Sequence, residues 1–294
     1  MKNTLRLLEE VRAGLSEGSM IPYLGPGMLE LVPGGAPVPA SPEVLVERLV
    51  KKVSVPPKIR NNLTAAAQFI ENFKHRKSLV AALVEAFTAE VTPSALHKYI
   101  AGLPRKPLLI VDAWYDNAMA NAIALNDESP ERPIWGQIQG VSQAEHFGTW
   151  VNYFHGNGVP AEELEAEIWE TILYKPLGSI SPAHNFLVSD SDYVEVLTEI
   201  DIQTPIPPLV QQMRIGASFL FLGCRFRNQL ERTFARQIMK RSSDAHWAVM
   251  PGKLTRNEAR FLEEQNIRQI DLSLPEFSNL LTGEPAAERV MVFG

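Results

Sequence analysis

Cysteine is almost absent: Cys224 is the only one in 294 residues. That excludes an internal disulfide and a zinc centre built from cysteine thiolates, and a lone thiol suits a reducing compartment. No stretch approaches the roughly 20 consecutive apolar residues that a membrane-spanning helix requires. The opening segment MKNTLRLLEEVRAGL sets acidic residues among its leucines and lacks the apolar run and cleavage site of a secretory signal, so the expected location is the cytoplasm. Cationic excess is missing too. Lys and Arg number 28 against 34 Asp and Glu, a net charge of −6, which argues against an extended nucleic-acid surface. Also missing are a paired-histidine metal motif, a Gly-x-Ser-x-Gly elbow and a glycine-rich loop ending in Lys-Ser or Lys-Thr. No metal is expected. The sequence shows neither an internal repeat nor a low-complexity tract.

What is present is apolar and periodic. Hydrophobic residues make up 45% and charged residues 21%, enough for a sizeable core. Leu5, Leu8, Val11 and Leu15 fall at helical spacing. SMIPYLGPGM reads as a first strand and tight turn, and the Pro- and Gly-rich residues 32–42 as a loop beside it. Ser41-Pro42 is a good helix start, and helices are expected at about 42–53, 57–73 and 77–89. Pro93 opens another. Leu108–Val111 reads as a strand buried on both faces. The polar, Pro- and Gly-broken region 126–150 looks inserted, and AEELEAEIWETI reads as a charged helix over about 161–172. A strand near 171–175 and a helix from Asp190 follow. The strand at ASFLFLG, the helix at RNQLERTFARQIMKR, the strand at HWAVM, a helix at 255–265 and a strand at RQIDL close the series.

This alternation predicts a single α/β domain over 1–294, Rossmann-like, with a mostly parallel sheet and helices on both faces. A helical insertion is expected at about 41–92 after the first strand, a second insertion at about 126–170 and a tail at about 275–294. The terminal VMVF is read as an edge strand or a contact with a partner chain. In such sheets ligands bind at the carboxyl ends of the strands, where chain order reverses. Four turns therefore matter: Gly25–Gly27, Asp112–Asp116, Lys175–Ser179 and Gly223–Arg227.

These turns are PYLGPGM (22–28), DAWYD (112–116), YKPLGS (174–179) and FLFLGCRFRN (219–228), joined by TPSALHKYIAGLP (92–104) and SDSDY (189–193). Taken in order and spacing, the set resembles the sirtuin-like family in its bacterial branch linked to NAD cleavage, over roughly residues 15–275. The resemblance implies a Rossmann-like sheet that holds NAD or ADP-ribose. It weighs against protein deacylation, because the cysteine-based zinc module of the protein-deacylating sirtuins is absent. On the family pattern Gly25 and Gly27 flank the phosphate-cradling turn, and Tyr115, Asp116, Gly178 and Ser179 match its motif residues. Gly223 stands where the adenosine ribose sits. Arg225 and Arg227 in the same loop are candidates for phosphates or an acidic partner. His97 is expected to pack and hydrogen-bond, and Cys224 and Asn228 replace a usual tyrosine and aspartate.

The departures concern chemistry. The family's catalytic asparagine has its place at Trp114, whose indole offers one N–H donor and no acceptor. Its general-base histidine has its place at Leu177, which accepts no proton. Pro26 removes one N–H from the first turn. Trp114 is either an aromatic plug or a stacking surface for a ligand. His155 in YFHGNG and His184 in SPAHNF are the candidate substitutes for the base, and each also reads as an ordinary loop histidine. Glu162 and Glu163 are most simply part of a solvated face. The leading expectation is a sirtuin-like protein without catalysis, serving as a nucleotide-binding, regulatory or interaction module with a protein partner or second copy. The alternatives are an NAD-cleaving hydrolase rebuilt around His155 or His184, and a structural partner without any ligand.

Overall fold

The computed structural model describes residues 2–128, 130–145, 148–202 and 205–283. Its strands are β1 (Met20–Leu24), β2 (Leu108–Asp112), β3 (Trp135–Gly140), β4 (Val151–His155), β5 (Pro160–Ala161), β6 (Thr171–Lys175), β7 (Gly178–Ser179), β8 (Asn185–Phe186), β9 (Ser218–Leu222), β10 (His246–Val249) and β11 (Ile267–Ile270). The helices are α1 (Lys2–Glu17), α2 (Pro42–Val50), α3 (Leu63–Phe87), α4 (Ala95–Ala101), α5 (Ala118–Leu125), α6 (Asp190–Ile202), α7 (Pro208–Met213), α8 (Gln229–Met239), α9 (Arg256–Glu264) and α10 (Leu274–Thr282). Nine strands form one sheet in the order β11-β10-β9-β1-β2-β6-β3-β4-β5, and β7 pairs with β8 separately. Every pairing from β11 through to β3 is parallel; β4 and β5 close that edge antiparallel. This is the expected Rossmann-like α/β architecture with an antiparallel border.

The strands are buried because both faces are covered. On one face Ile21, Tyr23, Val111, Ile172, Tyr174, Phe219 and Phe221 pack with α2, α3, α6 and α8 residues. On the other, Met20, Leu24, Ile110, Leu173, Leu220 and Leu222 pack with side chains of α1, α4, α5 and α10. The period-2 alternation along each strand sorts these two sets. Among the described residues no helix is long and apolar enough to cross a membrane.

Several expectations need correction. The second insertion expected at about 126–170 contains β3, a fully buried member of the main sheet. The motif WGQIQG hides its strand character because Gln137 and Gln139 point to one face and bond to each other, Nε2 to Oε1 at 2.8 Å. Its Gly136 receives the Trp169 ring, where a Cβ would come within 2.3 Å. The charged segment 161–172 is no α-helix: only Glu163–Ile168 is helical, in 3-10 form, and Thr171 already belongs to β6. The expected tail begins inside α10, which Ser273 caps and Phe277 and Leu281 bury. VMVF lies outside the described residues.

The helical insertion after β1 is tied down at one break. His75 sits inside α3 with φ 67° and ψ 155°, so the helix restarts there. The restart turns Arg76 inward, where Nη1 meets Asp192 Oδ2 at 2.8 Å and Nη2 donates to the Phe186 carbonyl at 2.5 Å. Asp192 also accepts the Ser142 hydroxyl and the Val188 and Ser189 N–H groups. Burial works to raise the Asp192 carboxyl, but Arg76 and these donors hold it below its ordinary value. Removing one partner of a buried pair leaves the other charge uncompensated. Arg76→Ala is therefore expected to cost about 3–5 kcal/mol in urea denaturation, and Asp192→Asn, which keeps an acceptor for the backbone donors, less.

Candidate functional site

Strand order turns back at β1, with β9 on one side and β2 on the other, so the turns after these strands meet at the carboxyl edge of the sheet. The first turn is engaged with its own backbone. Gly25 N–H donates to Leu222 O (2.8 Å), Gly27 N–H to Gly223 O (2.9 Å) and Met28 N–H to Gly25 O (3.1 Å). Pro26 has no N–H, so no donor from Gly25 to Met28 is left to cradle a phosphate. The glycines serve close backbone approach. A Cβ on Gly27 would lie 2.8 Å from Gly223 O, and one on Gly223, whose φ is +66°, would lie 2.3 Å from Met28 N.

The second turn carries the aromatic residue noted in the sequence. Trp114 is 4% exposed. Its Nε1–H donates to Pro39 O at 2.8 Å, which fastens the loop of residues 32–42 over the ring. Phe87 and Tyr115 flank it, with ring centroids at 5.8 and 4.9 Å. Trp114 is thus a plug in the core. Tyr115 is fully buried, and its hydroxyl donates to Leu187 O at 2.8 Å. Asp116 accepts Ala118 N–H at 2.8 Å just before the first turn of α5, whose N-cap is Asn117.

A charge pair that the sequence reading did not single out lies beneath this turn. Lys175, 1% exposed, closes β6, and Asp112 closes β2 beside it. Lys175 Nζ donates to Asp112 Oδ2 at 2.5 Å and to Asp116 O at 2.9 Å. Burial raises the Asp112 carboxyl above its ordinary value, and the Lys175 ammonium beside it pulls the other way. The signal was available: LLIVD and TILYK are buried strands that end on opposite charges. His97 of α4 is close in electrostatic terms. Ser94 N–H donates to its Nδ1 (3.3 Å), and the Ser94 hydroxyl lies 2.7 Å from the same nitrogen. Burial lowers this imidazole to about 4, opposed by Asp116 and aided by Lys175. His97 is a neutral capping residue of α4, consistent with the packing role expected of it.

The third turn keeps Leu177 buried in the same cluster as Trp114, Tyr115 and Phe186. Gly178 has φ +81° and pairs with Phe186 across β7 and β8, where a Cβ would be 2.2 Å from Asn185 O. Ser179 Oγ donates to Tyr115 O at 3.3 Å. In the fourth turn Arg225 makes a two-pronged pair with Glu258, at 2.9 and 3.3 Å. Cys224 is buried, and burial raises its thiol strongly. Gly25, Gly27, Trp114, Tyr115, Asp116, Leu177, Gly178, Ser179 and Gly223 are therefore brought to one edge, and each is engaged internally.

The two candidate histidines are not brought to that edge together. His155 is opposite Gly136 at the amino end of β3, and β4 is three strands from β2. That is about 10 Å along the strands and roughly 5 Å per strand across them. Its Nε2 faces Glu165 at 3.4 Å. His184 is exposed, with φ +51°, in the loop between β7 and β8. One cavity, of about 10 Å³, lies among Tyr174, Leu187, Val196 and Phe234 and has room for one water at most. An open polar groove of about 370 Å³ lies at the amino end of β10, beside Arg236, Lys240 and His246. Neither is bordered by Gly25, Trp114, Asp116 or Gly223. Among the described residues no group of three or more His, Cys, Asp or Glu is arranged to hold a metal ion.

Two measurements test this packing. Gly223→Ala, forced into a left-handed conformation against Met28, is expected to lose more than about 2 kcal/mol of stability. For His97 the unfolded chain binds a proton that the folded chain refuses between about pH 6.5 and 4. Stability from this group is thus full above pH 6.5 and falls as pH drops through that window. Compared with His97→Asn, the wild type should lose about 3 kcal/mol over the window in urea titrations at stepped pH. With the geometry described, comparison with protein families gave one match: a family described as SIR2-like domain, over residues 108–270, from the start of β2 to the end of β11. Comparison with curated proteins gave no match.

Proposed function

The chain belongs to the SIR2-like domain family, and from that premise we propose that it is a non-catalytic member, a regulatory or interaction module that keeps the α/β frame. The observation that carries this reading is the buried Trp114 indole hydrogen-bonded to Pro39, at the position where the family resemblance implies a catalytic asparagine. An indole cannot orient water through an acceptor, because it has none. Leu177, at the position of the general base, cannot take a proton. His155 is at the far end of the sheet, and His184 points its chemistry to solvent.

The family relation makes NAD or ADP-ribose the ligand to consider. As the side chains stand, the residues do not fit it. The amides from Gly25 to Met28 are engaged, Arg225 is paired with Glu258, and the indole is buried against Tyr115 and bonded to Pro39 O. Entry of a nucleotide requires Trp114 to part from the loop at Pro39. A protein partner or a second copy is then the more natural ligand class. The buried single thiol suits the cytoplasm.

The test is incubation of the purified chain with NAD, followed by chromatography for nicotinamide and ADP-ribose. Release no faster than from NAD alone is expected, with no ADP-ribose-induced change in melting temperature. Turnover that disappears on His184→Ala or on a change at Asp116 would overturn the reading. Trp114→Ala, which empties the plug and unpairs the Pro39 carbonyl, should lose about 3–5 kcal/mol of stability.

A further inference from the structure

The antiparallel border of the sheet carries a surface that the strand-end site does not use. From Gly156 to Glu170 the chain has five glutamates, at 162, 163, 165, 167 and 170, and neither lysine nor arginine. Within this run Leu164 and Ile168 are 76% and 82% exposed, above every other exposed large apolar residue among the described residues. A single exposed leucine needs no explanation. Two such residues on a rigid mount do.

The mount is the 3-10 segment Glu163–Ile168. With three residues per turn, Ala166 and Trp169 share its inner side, and Leu164, Glu165, Glu167 and Ile168 fall outside. Ala166 and Trp169 are 1% and 3% exposed. The Trp169 ring lies against Gly136 of β3, which anchors the segment to the sheet. The glutamates are held as well. Glu165 accepts Glu162 N–H at 2.8 Å and faces His155, and Glu163 lies close enough to Tyr153 to raise its phenol. Glu170 N–H donates to Ile134 O at 2.7 Å, and Ile134 is itself half exposed.

We propose that this ridge docks a basic amphipathic segment of a partner protein, its apolar side on Leu164 and Ile168 and its lysines or arginines on the surrounding glutamates. Charge selects the occupant. A two-fold contact with a second copy would set this acidic run against itself, since a self-complementary interface brings the same patch from both sides. Nucleic acid and anionic lipid are repelled for the same reason. A cationic helix satisfies both features of the ridge, as helices laid by their apolar side on a hydrophobic surface do elsewhere. The proposal does not rest on the fate of the nucleotide site, and its test is independent of NAD.

The experiment uses the full chain and a fluorescein-labelled helical peptide of leucine and lysine, with a leucine–glutamate peptide of the same spacing as control, followed by anisotropy. The lysine peptide should bind with an affinity that falls as salt rises, and the glutamate peptide should not bind. Leu164→Ser with Ile168→Ser should weaken binding by roughly tenfold or more, because both sites lose their apolar contact. Glu167→Lys should weaken it and flatten the salt dependence, whereas Glu9→Lys, an equal charge change on α1, should not. Both positions are exposed, so an unchanged melting temperature verifies the fold. Equal binding to wild type and the double serine variant, or equal loss with Glu9→Lys, overturns the proposal. So does a dimer in sedimentation that the double serine variant dissolves, since the occupant would then be a second copy.

Discussion

One buried ammonium holds the carboxyl edge of the sheet together. Lys175 reaches from the end of β6 to the Asp112 carboxylate at the end of β2, and its second hydrogen bond goes to the carbonyl of Asp116. It therefore grips both ends of the turn Asp112–Asp116. A charge removed from water at this depth is tolerated only with a counter-charge and further hydrogen bonds in good geometry. Those conditions fix the turn's path. With its ends fixed, Trp114 and Tyr115 enter the core, while Asp116 accepts the Ala118 N–H at the start of α5. Moving Lys175 would release the aromatic cluster and the helix start at once.

The same edge shows how the polar groups of strand-end turns can be satisfied within the chain without disturbing the frame. The amides of the first turn bond to the strand beside them, the guanidinium of Arg225 bonds to a buried glutamate, and the indole takes the loop carbonyl of Pro39. These three sets of donors have found partners inside the chain. Packing density does the rest, since Phe87, Trp114, Tyr115 and Phe186 fill the interior side by side. Membership of the SIR2-like family and the filled edge are compatible, because the fold depends on the strands and the chemistry on a few side chains above them.

The sequence made the frame readable where local signals coincide with tertiary demands. LLIVD and FLFLG are apolar throughout because both faces of their strands are covered, and Ser41-Pro42 starts α2 as capping chemistry predicts. It failed where partners lie far away in the chain. WGQIQG looks like a loop until Gln139 is seen to bond to Gln137 and to Ser181 O. The positions of the four turns were legible, yet whether their amides are free depends on Gly223, some two hundred residues from Gly27. Leu177 and Trp114 were recognisable as departures; only the fold shows that the second is fastened to Pro39.

That fastening has a bearing on mutational history. Exchanging Trp114 for asparagine leaves most of an indole's volume empty and the Pro39 carbonyl without its donor, while Leu177 still supplies no base. Exchanging Leu177 for histidine first places an imidazole in an apolar cluster before any asparagine is present to work with it. Each single step loses packing or a hydrogen bond. Any substitution at Trp114 or Leu177 must therefore first make good the packing that the buried indole and its bond to Pro39 supply.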